Sequence, residues 1–238
     1  MAGKHLKPTV LELGGKAPAI IAEDADVQNA AAQCALGAFL HAGQICMSTE
    51  RILVNAKVAK QFREGLKFAM DNIFSEKDQR ASAQLISALP VEKNKKLLQD
   101  AISKGATVLY GDANHIEPSK TKMRPVIIEN VKPNMDIYQT ESFGPTVSVI
   151  VVNSDEEAVA IANDTDYGLN AAVFTEDLRR GLRIAKQIEF GAVHINSMTV
   201  HDESALPHGG FKKSGFGRFN GLEGLQEWVH TKTITWRD

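Results

Sequence analysis

The chain has 238 residues, 43% of them apolar and 24% charged, with a formal net charge of -2. That composition suits one large globular domain or two small ones, and without a long run of one sign it favours neither a nucleic-acid groove nor a membrane-surface patch. The 2 cysteines make no disulfide framework, no Cys/His spacing fits structural zinc, and no apolar run is long enough to span a bilayer. "MAGKHLKPT" lacks a signal-peptide core, so a reduced, cytoplasmic enzyme or binding protein is expected.

Near the amino terminus "PTVLELGGKAPAII" reads as strand, glycine turn and strand, as if the chain started inside a larger architecture. From Asp24 the pattern turns helical: Asp24 or Asp26 can cap it, and Val27, Ala31, Ala35, Leu36 and Phe39 recur at three- and four-residue steps until Gly43. "RILVNA" reads as a strand, and "VAKQFREGLKFAMDNIF" as an amphipathic helix with Phe62, Leu66, Ala69 and Ile73 inward. "VEKNKKLLQDAISKG" reads as a helix closed by Gly105 as a left-handed cap, followed by the strand "ATVLYG". "YGDANHIEPSKTKMRP" is polar enough for an exposed loop, and "MRPVIIENV" and "GPTVSVIVV" read as strands. Ser154 with Glu157 three residues on is a capping-box signature opening another helix. "LNAAVFT" (strand), "EDLRRGLRIAKQIE" (helix) and "FGAVHIN" (strand) complete the series. The alternation predicts an α/β fold with a mainly parallel sheet covered by helices on both faces, and functional loops at the carboxyl ends of its strands. "EWVHTKTITW" alternates like an edge strand.

"FLHAGQICMSTER" places Cys46 behind a Gly-Gln pair, out of regular structure, where backbone N–H groups around a bend can stabilise a thiolate or an oxyanion. Cys34, inside the Ala-rich helix, reads as buried packing. "LELGGK" offers Glu12, open to two readings: a strand-end carboxylate paired with Lys16, or a general base whose pKa is raised by apolar neighbours. Gly14 and Gly15 permit close approach of another group to the backbone.

"LELGGKAP" followed about thirty residues later by "GQIC", then "ESFGP", "YGLNAAVFT" and "PHGGFKKSGFGR" in that order, closely resembles the aldehyde dehydrogenase superfamily over essentially the whole chain. The resemblance implies Cys46 as the nucleophile that forms a thiohemiacetal and then a thioester, and Glu12 as the base that activates water against the thioester. It implies NAD or NADP as cofactor, with Glu141 on the nicotinamide ribose, Phe143 beside the nicotinamide ring and the Leu13 carbonyl as acceptor for its amide. Asn196, in "HINS", matches a polar position beside the substrate entrance. Members of this family carry a Rossmann-type cofactor domain before the "LELGGK" strand. Its glycine-rich turn is absent from this sequence, so the chain resembles the carboxyl half, with residues 1–225 as catalytic domain and 226–238 as a strand joining a second copy in a homo-oligomer. His208 and Phe219 stand where members often have Phe and an acidic residue. With "HINSMTVHDESALPHGG" they resemble the branch acting on aromatic aldehydes of salicylaldehyde or vanillin type. Ile45 and Met47 give apolar bulk suited to a flat ring. His201 and His208 are either donors to a ring hydroxyl or solvated loop histidines. The alternatives to a dehydrogenase are a cofactor-free thiol esterase and a non-catalytic subunit-association module.

Overall fold

The computed structural model describes residues 1–74 and 83–238. The chain opens with β1 (Leu11–Glu12), β2 (Ala17–Ile21), α1 (Val27–Phe39), β3 (Thr49–Asn55) and α2 (Ala59–Ile73). A central stretch follows with β4 (Ala83–Gln84), α3 (Ala88–Ser103), β5 (Thr107–Tyr110), β6 (Lys122–Met123), β7 (Val126–Glu129), α4 (Asp136–Gln139) and β8 (Thr146–Val152). The last third holds α5 (Asp155–Asn163), β9 (Tyr167–Gly168), β10 (Asn170–Phe174), α6 (Leu178–Ala185), β11 (Ala192–Ile195), β12 (Phe211–Lys212), β13 (Gly215–Phe216) and α7 (Gly221–Gln226). Seven strands form one sheet in the order β11-β10-β2-β3-β8-β7-β5, parallel throughout except for the antiparallel β5–β7 pair.

Strand alternation divides the core. Ala19, Ile21, Ile52, Val54, Ala172 and Phe174 face α1 and α2, whereas Ile20, Leu53, Ala171 and Val173 face α5 and α6. Successive residues thus serve opposite layers, as a strand buried on both sides requires. Further along, Val126 and Ile128 pack under α3 through Val91, Leu98 and Ala101. The expected mainly parallel sheet with helices on both faces is what the chain forms.

Local expectations fared unevenly. Asp26 is the cap of α1, its Oδ1 accepting from the N–H groups of Gln28 and Asn29 at 3.1 Å each. Asp24 instead accepts from the Thr175 hydroxyl at 2.7 Å and pairs with Arg180. Ile73 is 39% exposed rather than inward. The inward role at that end of α2 passes to Phe74, whose ring meets Phe39 edge-on at 5.8 Å. Helix α3 starts at Ala88, ahead of the expected Val91. Pro90 is tolerated there because the first-turn N–H groups lack intrahelical partners anyway. Residues 229–238 pair with no strand among the described residues, and Trp228 and Trp236 are each 86% exposed. The edge strand expected there does not form within the chain, since a lone strand has no ladder to satisfy its backbone.

Candidate active site

Three loops converge because three adjacent parallel strands begin at one rim of the sheet. Glu12, Leu13, Gly14 and Gly15 lead into β2; Ile45, Cys46 and Met47 lead into β3; Glu141 and Phe143 lead into β8. The site therefore lies at the amino ends of the strands, not at the carboxyl ends that open α/β sheets commonly use. A direct consequence concerns α1, which runs back towards this rim. It delivers its carboxyl end, not its anion-stabilising amino end, to the turn before Cys46.

The turn itself is left-handed. Helix α1 stops at Phe39, and His41, Ala42 and Gly43 follow with φ of 53°, 61° and 70°. Such a run is strained for the two non-glycine residues and reverses the chain sharply. Gly43 packs on the Gly144 carbonyl so closely that a Cβ would collide with it. Gly15 stands in the same relation to the Cys46 carbonyl. Gly14 lies against the Glu141 carboxylate, whose Oε1 accepts from the Gly15 N–H at 2.6 Å. The "LELGGK", "GQIC" and "ESFGP" segments thus meet on two glycines.

Cys46 is half-buried and Cys34 buried. Burial pushes the Cys46 thiol up, and the charges of Glu12 and Glu141 push it further, while the N–H groups of Cys46 and Met47 pull it down. Those N–H groups are the stabilisation expected of the bend, and they are outweighed. Met47 is fixed by its carbonyl, which accepts from the Thr199 hydroxyl at 2.6 Å.

Glu12 does not pair with Lys16. Its carboxylate stands 3.4 Å from His208 Nε2, and burial raises its pKa against the lowering pull of His208 and Arg218. The flanking Leu11 and Leu13 are themselves 38% and 52% exposed. Lys16 is fully buried and donates to Glu50 Oε2 at 2.6 Å and to the Thr140 carbonyl at 2.8 Å. Glu50 in turn accepts from the Ser142 N–H at 2.7 Å, the Ser142 hydroxyl at 2.9 Å and the Phe143 N–H at 3.1 Å. This buried pair sets the loop carrying Glu141 and Phe143. The sequence reading missed Glu50, although "TERILVN" held a signal: two opposite charges heading a strand otherwise apolar enough to be buried.

Beside this loop is an opening of about 550 Å³ lined by Leu89, Pro90, Lys93, Glu141, Ser142 and Phe143. A second, of about 450 Å³, is lined by Leu13, Gly14, Tyr167 and, again, Glu141. Glu141 thus lines both openings, and among the described residues its Oε2, which lies against Gly14, carries no hydrogen bond. Phe143, with φ of 47° and 37% exposure, stands at the mouth. A free carboxylate oxygen beside an aromatic ring fits a ribose carrying a flat heterocycle. No cluster of metal-ligating side chains occurs among the described residues, and none of their helices is long and apolar enough to cross a membrane.

The remaining predicted residues divide. Ile45 and Met47 flank Cys46 and are half-buried. His201 is paired with Glu203 at 2.8 Å and lies 4.9 Å from the His194 ring. His208 is 5% exposed, so it is no solvated loop histidine. Asn196 is put to structural use: its amide accepts from the Thr175 N–H at 3.0 Å and donates to the Thr175 carbonyl at 2.9 Å. Each end keeps one further bond to offer, an N–H and a lone pair.

Residues 1–234 match the model of the aldehyde dehydrogenase family. A vanillin dehydrogenase of Pseudomonas fluorescens is 38% identical over 99% of this chain and 48% of its own length. A salicylaldehyde dehydrogenase from Pseudomonas putida G7, crystallised with salicylaldehyde, superposes with a TM-score of 0.87 at 39% identity, over 95% of this chain and 47% of that one. An NADP-dependent glyceraldehyde-3-phosphate dehydrogenase from Bacillus halodurans C-125, in complex with NADP, gives 0.84 at 35% identity, over 92% and 45%. The chain spans about half the length of the curated relatives it matches. With three of the motifs meeting on Gly14 and Gly15, residues 1–234 matching the family model and 95% of the chain superposing on a solved relative, the chain belongs to the aldehyde dehydrogenase family.

Proposed function

We propose that this chain carries the catalytic residues of an NAD(P)-dependent oxidation of an aldehyde, an aromatic one, to its carboxylic acid. The observation that supports it most is the seat of Cys46 on Gly15, one residue beyond the glycine that touches Glu141 and three beyond Glu12. Nucleophile, base and a ribose-binding carboxylate share one rim. Ile45 and Met47 offer apolar walls for a ring, and the vanillin and salicylaldehyde dehydrogenases are relatives of matching substrate chemistry.

The Cys46 sulfur attacks the carbonyl carbon, its proton passing to solvent, and the new oxyanion meets the N–H groups drawn around the sulfur. NAD(P)⁺ supplies the hydride acceptor that turns the thiohemiacetal into a thioester, and Glu141, Phe143 and Leu13 would hold its nicotinamide riboside end. Glu12, as carboxylate, then takes a proton from water. The hydroxide adds to the thioester carbon, the C–S bond breaks, and the acid leaves with the thiol restored.

The test is a rapid-mixing assay with an aromatic aldehyde and NAD(P)⁺, the chain being paired with the amino-terminal half of a related dehydrogenase. Cys46→Ala abolishes all turnover. Glu12→Gln keeps a burst of NAD(P)H near one equivalent per site while the steady state slows by roughly a hundredfold to ten-thousandfold. Loss of the burst in Glu12→Gln would overturn the division of labour. A burst surviving Cys46→Ala would remove the nucleophile.

A further inference from the structure

We propose that His208 is a positioning residue for Glu12: its rigid imidazole holds the carboxylate on the water-activating side and sets the pH at which it acts as base. This rests on Glu12 being that base and departs from a role for His208 in gripping a substrate hydroxyl.

The geometry starts from the mobility of the two partners. Glu12 sits on a two-residue strand with 29% of its side chain exposed, and a glutamate has several rotors to immobilise. His208 has no such freedom. Its N–H donates to the Phe219 carbonyl at 2.8 Å and its carbonyl accepts from the Phe219 N–H at 2.9 Å. Its ring lies 4.9 Å from the Phe219 ring, and its side chain is 6% exposed. The same ribbon holds the carboxylate's own backbone, because β1 pairs with β13 at Glu12↔Gly215, four residues before Phe219. His208, Phe219 and Glu12 are therefore members of one small antiparallel assembly, in which a fixed ring abuts a movable carboxylate at 3.4 Å.

The charges facing the pair come from each neighbouring segment. His208 and Arg218 favour the charged carboxylate and Asp202 opposes it. Arg218 is itself tethered, donating to the Gly217 carbonyl at 2.7 Å, and its N–H donates to Glu227 at 3.2 Å. Cys46 feels Glu12 across the glycine turn, and His194 feels both His201 and His208. His208 stabilises ionised Glu12. Removing it moves the carboxyl's titration to higher pH and frees the side chain.

Two variants separate these effects. His208→Phe keeps a ring on Phe219 but loses charge and donor; His208→Gln keeps a donor without charge. In the whole chain with carbon-13-labelled glutamate, the Glu12 signal is assigned by its loss in Glu12→Gln, and its titration is followed by NMR. Both His208 variants are expected to titrate at higher pH than the parent, with melting curves confirming the fold. Cys46 is acylated with p-nitrophenyl acetate and loss of the acetyl mass is followed against pH. Deacylation slows by about tenfold at its plateau in His208→Phe, short of the hundredfold or more expected for Glu12→Gln. His208→Gln recovers the plateau while its acid limb stays displaced to higher pH. A folded His208→Phe with an unmoved Glu12 titration overturns the proposal. So does a loss confined to substrates bearing a ring hydroxyl, which would make His208 a substrate ligand. If Glu12→Gln itself deacylates normally, the base reading fails separately from the His208–Glu12 coupling.

Discussion

Glu50→Gln removes one charge from the centre of the molecule while sparing an acceptor. Gln can still receive the N–H groups of Ser142 and Phe143, so the perturbation falls on Lys16, which keeps its ammonium in full burial with only the Thr140 carbonyl at 2.8 Å. Burial already pushes that ammonium's pKa down, against the upward pull of Glu50. Breaking a buried pair by removing one partner costs about 3–5 kcal/mol. A chain of 238 residues unfolds with an entropy of about 0.5 kcal/mol/K, so the melting temperature should fall by roughly 6–10 °C. The paired variant Lys16→Met/Glu50→Gln removes the stranded charge and should regain most of this loss. Scanning calorimetry on the three proteins reads both numbers. A fall under about 2 °C in Glu50→Gln, or a double variant no more stable than it, would refute the reasoning.

Gly15→Ala drives a Cβ into the Cys46 carbonyl, which must retreat by about 1 Å; acylation by an activated ester should fall on the order of a hundredfold, read as the nitrophenolate burst. Glu12→Gln removes a charge that raises the Cys46 thiol, so the rate of iodoacetamide alkylation at Cys46 should rise at neutral pH and its profile shift to lower pH, with Cys34 unlabelled in both proteins. An unmoved profile would separate the two groups. Asn196→Ala loses two hydrogen bonds to Thr175, about 1–3 kcal/mol, and should lower the melting temperature without changing selectivity among aldehydes. A selectivity change would instead place it at the substrate entrance.

What the sequence made legible was what depends on near neighbours. The Asp26 and Ser154 caps, the period-2 strands and the bend before Cys46 are each encoded within a few residues. The family motifs added roles for Cys46, Glu12 and Glu141, and the fold brings these together. What escaped needed topology. Lys16 and Glu50 are 34 positions apart and pair only because β2 and β3 are adjacent and parallel. His208 reaches Glu12 only through the β1–β13 ribbon, so its burial could not be read from a polar, glycine-flanked segment. The carboxyl-end expectation failed for a related reason. Alternating strands and helices specify a parallel sheet but not which rim bears the loops with chemistry.

The proposed mechanism places two opposed demands on one carboxylate. Attack by sulfur is favoured when Glu12 is neutral, since its charge raises the thiol. Hydrolysis needs Glu12 charged, since only a carboxylate takes a proton from water. A glutamate left at its ordinary pKa would be almost wholly ionised near neutrality and would hold the thiol back throughout. One pushed far up would leave the thioester waiting for a base. Burial and Asp202 raise Glu12, while His208 and Arg218 restrain it. Burial and the charges of Glu12 and Glu141 push the Cys46 thiol up, and a thiol is less open to oxidation than a thiolate. In the proposed mechanism the tuning of Glu12 bears on both steps, through the Cys46 thiol in the first and as base in the second.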